Sequence, residues 1–371
     1  MKSYLTSATV LCLASGAAHA GALDRTGQSV DVLFETGRYG EFSFATVSPD
    51  LSGNTATPFL TNGSGSGDIS PSYTVFSAAY KADINNTWSY ALILDEPFKA
   101  DVNYADGTGY FAQGSIAEFQ SYALTGLLQY NTPTGFSVYG GLRLQSIEAS
   151  AAIDFAAFGL DYTAQADRDW GIGYVAGVAY ERPDIALRVS LTYNSEVAHR
   201  VNTTETIVPS PVPFGSTTEV ETPQSVNLAF QTGVAPGTLL FGGVRWVDWS
   251  DFDLTPNVYL GATGGSLLSY EDDVYTYTLG IGRRLNDTWS IAATLGYEET
   301  NGSFFTNLGP SDGQESIGLA AIYNKGNMKI TTGIRYVRIG DTVTRAGPFA
   351  PAARFDGNDA IAFGVKVGYN F

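Results

Sequence analysis

The chain has 371 residues and carries a formal net charge of −17 at pH 7, from 37 Asp and Glu against 20 Lys and Arg. A nucleic-acid partner needs a basic face, so this charge argues against one. The 42 Gly, 22 Tyr and 21 Phe stand beside one Cys, a balance that favours strands, tight turns and aromatic girdles and excludes a fold held by disulfides.

Residues 1–20 are typical of a secretory signal peptide. Lys2 precedes an apolar run from Tyr4 to Ala14, and Ala18-His19-Ala20 supplies an A-x-A cleavage motif. A spanning helix is the alternative, but the run is shorter than the roughly 20 residues that cross a bilayer. We therefore expect export and cleavage, which also removes Cys12.

The mature chain is predicted to form one domain. After the signal no apolar stretch approaches 18 residues, which excludes helical membrane spans. No linker or composition shift divides residues 39–371, and residues 21–38 are expected to form a short plug in which Gln28 to Phe34 fill the lumen.

A period of two predicts strands throughout residues 39–371. The last strand is the clearest, because Ile361, Phe363, Val367 and other apolar residues alternate with small or polar ones up to Phe371. Fourteen segments fit, an even number as bacterial outer-membrane barrels require. They lie near 39–48, 73–83, 87–105, 117–130, 135–148, 168–181, 184–195, 223–233, 238–252, 272–284, 288–299, 314–323, 328–339 and 359–371.

The connections indicate how these strands are arranged. Tight turns such as Asn85-Asn86 and Asn286-Asp287 alternate with longer loops rich in Gly, Ser and Asp. A soluble β-sandwich explains the strands but not this alternation. The sequence therefore predicts an all-β fold, a closed antiparallel transmembrane β-barrel of about 14 strands, with short turns and both termini in the periplasm.

Several segments, in order along the chain, resemble the FadL family of outer-membrane transporters for long-chain fatty acids and other hydrophobic compounds, which includes TodX-type aromatic-hydrocarbon channels. The matching segments are Asp68 to Tyr73, Ile84 to Ser89, Pro97 to Tyr104, Leu191 to Val197, Thr222 to Ser225 and Trp246 to Phe252. The resemblance implies passive transport of hydrophobic molecules, without a cofactor or a metal.

In that family an inward kink of the third strand opens a gap through which ligand leaves sideways. Pro97 suits such a kink because proline removes a donor from the strand ladder. The resemblance therefore implies a lateral gate at Pro97, Phe98 and Ala100. The alternative is that Pro97 ends the strand and Phe98 to Tyr104 begin a loop.

Two departures from the family concern its plug and its ligand-binding residues. The segment before the first strand is shorter than the family's plug and lacks its Asn-Pro-Ala motif, so gating by the plug is an open question. No basic ligand-binding residue of the family can be matched. Strand parity alone points these basic residues inward: Arg143, Arg188, Arg245, Arg284, Lys329, Arg335 and Lys366.

Two apolar loop segments, Ala151 to Leu160 and Ile207 to Phe214, predict a capture site for ligand, although they could instead fold inward and pack on each other. The residues predicted to bind ligand there are Phe155, Phe158 and Phe214. A second site inside the barrel is predicted from Phe34, Tyr139 and Phe241, with Arg143 and Arg188 available for an anionic ligand.

Other functions have less support. A general diffusion porin is the main rival, since a polar lumen and acidic loops suit small polar solutes. An outer-membrane esterase or lipase would have to recruit His199, the only histidine of the mature chain. The aromatic end at Tyr369 and Phe371 is expected to be read by the barrel-assembly machinery, and we expect a monomer surrounded by outer-membrane lipid and lipopolysaccharide.

Overall fold

Fourteen antiparallel strands form a closed barrel wall in the computed structural model, which describes residues 23–371 except 61–62, 156–158, 303 and 347–348. The first wall strand closes the barrel by pairing with the last, from Tyr39 opposite Asn370 to Asp50 opposite Asp359. On its other side it pairs with the second wall strand. The predicted fold class is therefore confirmed.

The wall strands match the predicted segments closely, and the third is split in two. Their bounds are β1 Tyr39–Asp50, β3 Tyr73–Asp83, β4 Trp88–Asp95 with β5 Lys99–Asn103, β6 Ile116–Asn131, β7 Phe136–Phe155, β8 Leu160–Arg182, β9 Leu187–Asn194, β12 Ser225–Ala235, β13 Thr238–Val247, β16 Val274–Arg284, β17 Trp289–Glu298, β19 Gln314–Lys325, β20 Met328–Ile339 and β23 Asp359–Asn370.

The remaining elements lie in the connections. They are β2 Gly53–Thr55, β10 Val197–Ile207, β11 Ser210–Thr222, β14 Asp253–Leu254, β15 Leu268–Ser269, β18 Phe304–Phe305, β21 Thr342–Ala346 and β22 Phe349–Phe355, the short helix α1 Asn257–Thr263, and 3₁₀ turns at Asp31–Phe34, Pro183–Ile185 and Trp249–Asp251. Among the described residues, no helix combines the length and the apolar character needed to cross a bilayer.

The alternation of side chains gives the wall an apolar outer face. On β23, Ile361 and Phe363 are about half exposed, whereas Ala360 and Ala362, which alternate with them, are buried. Aliphatic side chains such as Leu279 and Ile281 of β16 project outward with aromatic ones nearer the strand ends. This face suits hydrocarbon, and the paired strands satisfy their backbone groups within the wall.

The two ends of the barrel differ. Short turns follow β3, β6, β8, β12, β16 and β19 at what we call the turn end, where the backbone N–H of Phe371 also donates to the carbonyl oxygen of Arg38 at 2.9 Å. The longer connections lie at the opposite end, which we call the loop end. The start of β1 and the chain terminus therefore share the turn end.

The expectation of a loop at 196–222 was wrong. These residues form the hairpin β10–β11, which extends beyond the wall and pairs with the first part of β8, from Thr203 opposite Ala166 to Ile207 opposite Tyr162. Burial alternates without a break from Val197 to Glu205. The pattern escaped prediction because the buried positions include the polar His199, Thr203 and Glu205.

Ala151 to Phe155 and Leu160 are also not in a loop as expected. Ala151 to Phe155 complete β7 and Leu160 begins β8, so both strands extend well past the predicted limits of 148 and 168. Asp161 accepts a backbone hydrogen bond from Val208 at 3.0 Å. The two apolar segments predicted for ligand capture therefore lie side by side, as the tips of neighbouring hairpins.

Candidate functional site

An apolar pocket lies on the inner side of the wall at the loop end. Its walls are β5, β6, β7, β8 and the β10–β11 hairpin, and its cavity volume is about 40 Å³. The inward-facing side chains are mostly small: Ala100, Val102, Ala117, Phe119, Ala149, Ala151, Ala164, Ala166, Thr203 and Thr218. Six alanines leave the room that larger residues would fill.

The roof of the pocket comes from the connection between β13 and β16, which folds inward over the barrel. Leu254, Leu267 and Leu268 face the pocket from this connection. Behind them Trp249 is 1 % exposed and packs edge to face on Phe98, with ring centroids 5.6 Å apart. The large aromatic residues thus fill the lumen. Beside them, the small side chains of the alanines leave space for the pocket.

A buried carboxylate holds α1 in this roof. Glu205 of β10 accepts hydrogen bonds from the backbone N–H groups of Val258 and Tyr259 at 2.9 and 3.0 Å, which satisfies donors that the first turn of a helix leaves unpaired. The Tyr162 hydroxyl donates to the same carboxylate at 3.0 Å. Burial, and next the charge of Glu205, raise the pKa of Tyr162, so its hydroxyl stays protonated.

A second space adjoins the apolar pocket at the barrel wall. Ala100, Val102 and Leu308 line both. The second space is also lined by Arg25 and Tyr73, and the guanidinium carbon of Arg25 lies 5.1 Å from the centre of the Tyr73 ring. Tyr73 begins β3 and Ala100 to Val102 belong to β5, so this space borders both strands.

The wall is interrupted at this point. β4 pairs with β3 only from Ser89 to Leu94, and β5 pairs with β6 but not with β3. Residues 96–98 between β4 and β5 turn inward, where the Arg25 N–H donates to the Pro97 carbonyl oxygen at 2.8 Å and the Lys99 N–H to that of Leu23 at 2.9 Å. The chain at 23–25 thus pairs with the diverted strand, and β3 has a gap beside it.

Side chains bridge the gap. The backbone N–H of Phe76, on the open edge of β3, donates to Glu96 Oε2 at 3.1 Å, and Gln120 Nε2 donates to Glu96 Oε1 at 3.4 Å. Lys99 Nζ lies 3.5 Å from the Thr74 carbonyl oxygen on the same edge. Polar side chains therefore contact the edge that a neighbouring strand would otherwise pair.

The predicted gate residues lie at this break. Pro97 and Phe98 connect β4 to β5, Phe98 is 1 % exposed inside the barrel, and Ala100 lies between the two apolar spaces. Since β5 pairs with β6 beyond Pro97, the strand resumes after the proline and is not replaced by a loop. Glu96 and Gln120 were missed, because in the sequence they are ordinary polar residues near a strand end.

The N-terminal segment at 23–38 is bound to the inner wall by ion pairs. Arg245 Nε donates to Asp24 Oδ2 at 2.6 Å, and both side chains are buried. Lys329 Nζ lies 3.3 Å from Glu35 Oε1 and Arg188 lies 3.7 Å from Asp31. Several of the inward basic residues thus compensate acidic residues of the segment.

Three residues predicted for the inner site come together. The Phe34 and Tyr139 rings pack edge to face at 6.0 Å, and the guanidinium carbon of Arg188 lies 4.4 Å from the centre of the Phe34 ring. Phe241 lies elsewhere, in a cluster with Leu239, Ala292 and Ile322.

Arg143 and the residues predicted at the hairpin tips are more dispersed. Arg143 is buried and its Nε donates to Thr125 Oγ1 at 3.0 Å. Phe155 packs against Phe111 with ring centroids 5.7 Å apart, whereas Phe214 on β11 is exposed. Phe158 lies outside the described residues. Ligand binding by these residues stays a prediction.

In the described part of the chain, no group of three or more His, Cys, Asp or Glu side chains lies close enough together to hold an ion. His199 is buried, and its Nδ1 lies 3.3 Å from Asp169 Oδ2.

A family model described as "Outer membrane protein transport protein (OMPP1/FadL/TodX)" matches residues 36–303, well over half of the chain. No curated protein matches significantly.

Solved structures match over nearly the whole chain. A Pseudomonas aeruginosa FadL homologue superimposes with a TM-score of 0.73 at 14 % identity, covering 92 % of both chains. The P. putida toluene transporter TodX gives 0.66 at 12 % identity, again over 92 % of both chains. The Ralstonia pickettii toluene transporter TbuX gives 0.63 at 11 % identity, over 92 % of this chain and 91 % of that one. At these identities the likeness shows a shared fold.

Proposed function

The chain belongs to the outer membrane protein transport family that includes FadL and TodX, and from this we propose that it moves hydrophobic small molecules passively through the outer membrane. Ligand enters between the hairpin tips at the loop end, rests in the apolar pocket and leaves sideways between β3 and β5. Fatty acids and other apolar compounds are the expected ligand class. The observation that carries the proposal is the apolar pocket, which shares Ala100 and Val102 with a second space that borders β3.

The physical chemistry of the ligand supports this route. A hydrophobic molecule gains about 25 cal/mol for each Å² of apolar surface removed from water, so a water-filled pore would not help it. It needs a series of apolar sites, each weak enough to leave. The capture site between the tips, the pocket behind Ala100 and the membrane beside β3 supply such a series.

A diffusion porin for polar solutes fits less well. The aromatic roof fills the upper lumen, and the segment at 23–38 occupies the inside of the wall through its ion pairs. Liposome swelling separates the two functions, since a porin would admit sugars rapidly and the proposed transporter would not.

Filling the path at Ala100 tests the lateral exit. Ala100→Trp places an indole between the two apolar spaces, and Pro97→Val restores a strand-forming residue at the break. Each is expected to reduce uptake of a labelled hydrophobic compound by cells at least tenfold. Ala152→Trp is the matched control, because Ala152 alternates with the pocket-lining Ala151 and the buried Ile153 and so adds the same bulk to the other face of β7.

Surface level and the heat-dependent gel shift of the folded barrel must be unchanged for the comparison to count. Normal uptake by folded Ala100→Trp and Pro97→Val proteins would reject the lateral exit and favour passage to the periplasm.

The proposal also places the loop end outside the cell and both termini in the periplasm, after removal of residues 1–20. The mass of the purified mature protein tests the cleavage.

Tyr369 and Phe371 are exposed on the outer face at the turn end, where the assembly machinery would read them. Deleting Phe371 is expected to lower outer-membrane levels, and unchanged levels would remove this role.

A further inference from the structure

The chemistry of the apolar pocket bears on the charge of its ligand. The strand residues that line the pocket and face inward carry apolar side chains except Thr203 and Thr218. Those two hydroxyls lie 2.7 Å apart and hydrogen-bond to each other, and Thr203 Oγ1 also lies 3.3 Å from the Val201 carbonyl oxygen. Glu118 and Ser150 also border the pocket, but they alternate with the inward-facing Ala117, Phe119, Ala149 and Ala151, which places their side chains on the other face.

The charged group next to the pocket is an anion. Glu205 lies two residues beyond Thr203 on the same face of β10 and is completely buried. Its carboxylate is occupied by Tyr162, the α1 backbone and Ser216, whose hydroxyl donates to Oε1 at 2.8 Å. A ligand carboxylate in the pocket would meet this negative charge and no cationic partner among the described lining residues.

We infer that the pocket selects uncharged apolar molecules, such as hydrocarbons and neutral esters, and rejects carboxylates such as ionised fatty acids. This inference rests on the proposed function and narrows its ligand class. Burying an ionised carboxylate without a partner costs several kcal/mol, whereas a neutral molecule of the same shape has no such cost. The pocket thus discriminates against ionised ligands, because it offers their carboxylate no cationic partner.

The competing assignment is a fatty acid whose tail lies in the pocket and whose carboxylate reaches Arg25 in the adjoining space. Arg25 is the one cation among the described residues that line either space. Its Nη1 donates to the Asp24 carbonyl oxygen at 2.8 Å, its guanidinium lies over Tyr73, and Asp101 lines the same space. Since this guanidinium already has partners and an acidic neighbour, we favour the neutral ligand.

Quenching of Trp249 fluorescence by brominated ligands tests the inference on the full mature protein in detergent. The probes are a bromine-labelled medium-chain carboxylic acid and its methyl ester at about pH 8, where the acid is ionised. They share one apolar skeleton and differ in charge. A Trp249→Phe variant gives the background from the other tryptophans.

The ester is expected to quench saturably and to bind roughly 100-fold more tightly than the acid, which corresponds to about 2.7 kcal/mol. Ala117→Leu should weaken ester binding at least tenfold by filling the pocket, whereas Ala152→Leu on the opposite face should not. This pair of variants assigns the quenching to the pocket.

Equal binding of the acid and the ester would overturn the inference and leave the proposed transport function standing. A loss of that acid binding in Arg25→Gln would then assign the carboxylate to Arg25. If neither probe binds to folded protein, the pocket is not a ligand site, and the proposed route fails together with the inference.

Discussion

Breaking the ion pair between Asp24 and Arg245 should release the N-terminal segment from the barrel. The Asp24 side chain also accepts a hydrogen bond from the Gly27 N–H at 3.1 Å, which fixes the turn into the segment. Asp24→Ala removes both contacts and leaves a guanidinium buried beside Ser225 and Asn227, which are neutral. Removing one partner of a buried pair typically costs 3–5 kcal/mol.

A cost of about 3 kcal/mol corresponds to a roughly 150-fold increase in the population of the detached segment. The amides of Leu33 and Glu35 report this population, because they donate to Val30 and Val32 within the 3₁₀ turn. Their hydrogen exchange should accelerate by on the order of 100-fold in Asp24→Ala. Amides of β16, which are held in the ladders with β13 and β17, should keep their protection.

Two further variants control the experiment. Asp184→Ala breaks the pair between Asp184 and Arg182, whose side chains are 59 % and 51 % exposed, and an exposed pair contributes little. Arg245→Met combined with Asp24→Ala removes the unpaired charge and should recover part of the protection. Unchanged exchange at Leu33 and Glu35 in a folded Asp24→Ala barrel would refute the view that this pair holds the segment in place.

Three other changes have defined outcomes. Glu205→Ala leaves two α1 N–H groups without acceptors, at about 1–3 kcal/mol each, so amide exchange in α1 should rise at least tenfold, and intact protection would count against the cap. In Gly141→Ala the new Cβ would clash with the Gly126 carbonyl oxygen, whereas in Gly261→Ala nothing lies within 4 Å of it. Less folded barrel should therefore be recovered from Gly141→Ala than from Gly261→Ala. Equal recovery would contradict this packing. Burial holds the pKa of His199 below its ordinary 6.5, although the neighbouring Asp169 acts in the opposite direction. Near this pH the folded hairpin therefore binds fewer protons than the unfolded chain. The stability of the hairpin should fall as pH drops through about 6.5. Hairpin amide exchange, corrected for intrinsic rates, should show this loss in the native protein but not in His199→Gln, and a shared pH dependence would exclude the histidine.

The wall was predictable because its information is local. Each strand repeats a two-residue pattern against lipid, and the turns at Asn85-Asn86 and Asn286-Asp287 fix where the pattern reverses. The β10–β11 hairpin lacks this apolar pattern, because its buried face pairs polar groups such as Thr203 with Thr218. A pattern search that weighs only apolar residues passes over such a face, whereas the run of alternating β-branched residues would have revealed it.

The site was less predictable because its parts are distant in sequence and chemically plain. The pair between Asp24 and Arg245 joins residues 221 positions apart. Ala117 and Ala164 leave space for the pocket because their side chains are small. Nothing in the sequence distinguishes them from other alanines in strands. Pro97 alone gave a local sign, since a proline inside a predicted strand marks a break in its pairing.

The break at Pro97 raises the question of how a barrel can leave part of the edge of β3 without a neighbouring strand. An unsatisfied backbone group in hydrocarbon costs several kcal/mol. On β3 the even-numbered residues direct their backbone groups towards the gap, and the two such groups with side-chain contacts are the Phe76 N–H, bound by Glu96, and the Thr74 carbonyl oxygen, near Lys99. These side chains contact two backbone groups of the edge, and they can rotate aside without unzipping a ladder. Glu96→Ala should therefore destabilise the closed gap without filling the path, so it should raise uptake, whereas Ala100→Trp should lower it. A loss of fold would lower uptake in both variants. Measuring both in one uptake assay would therefore separate a lateral opening from a loss of fold.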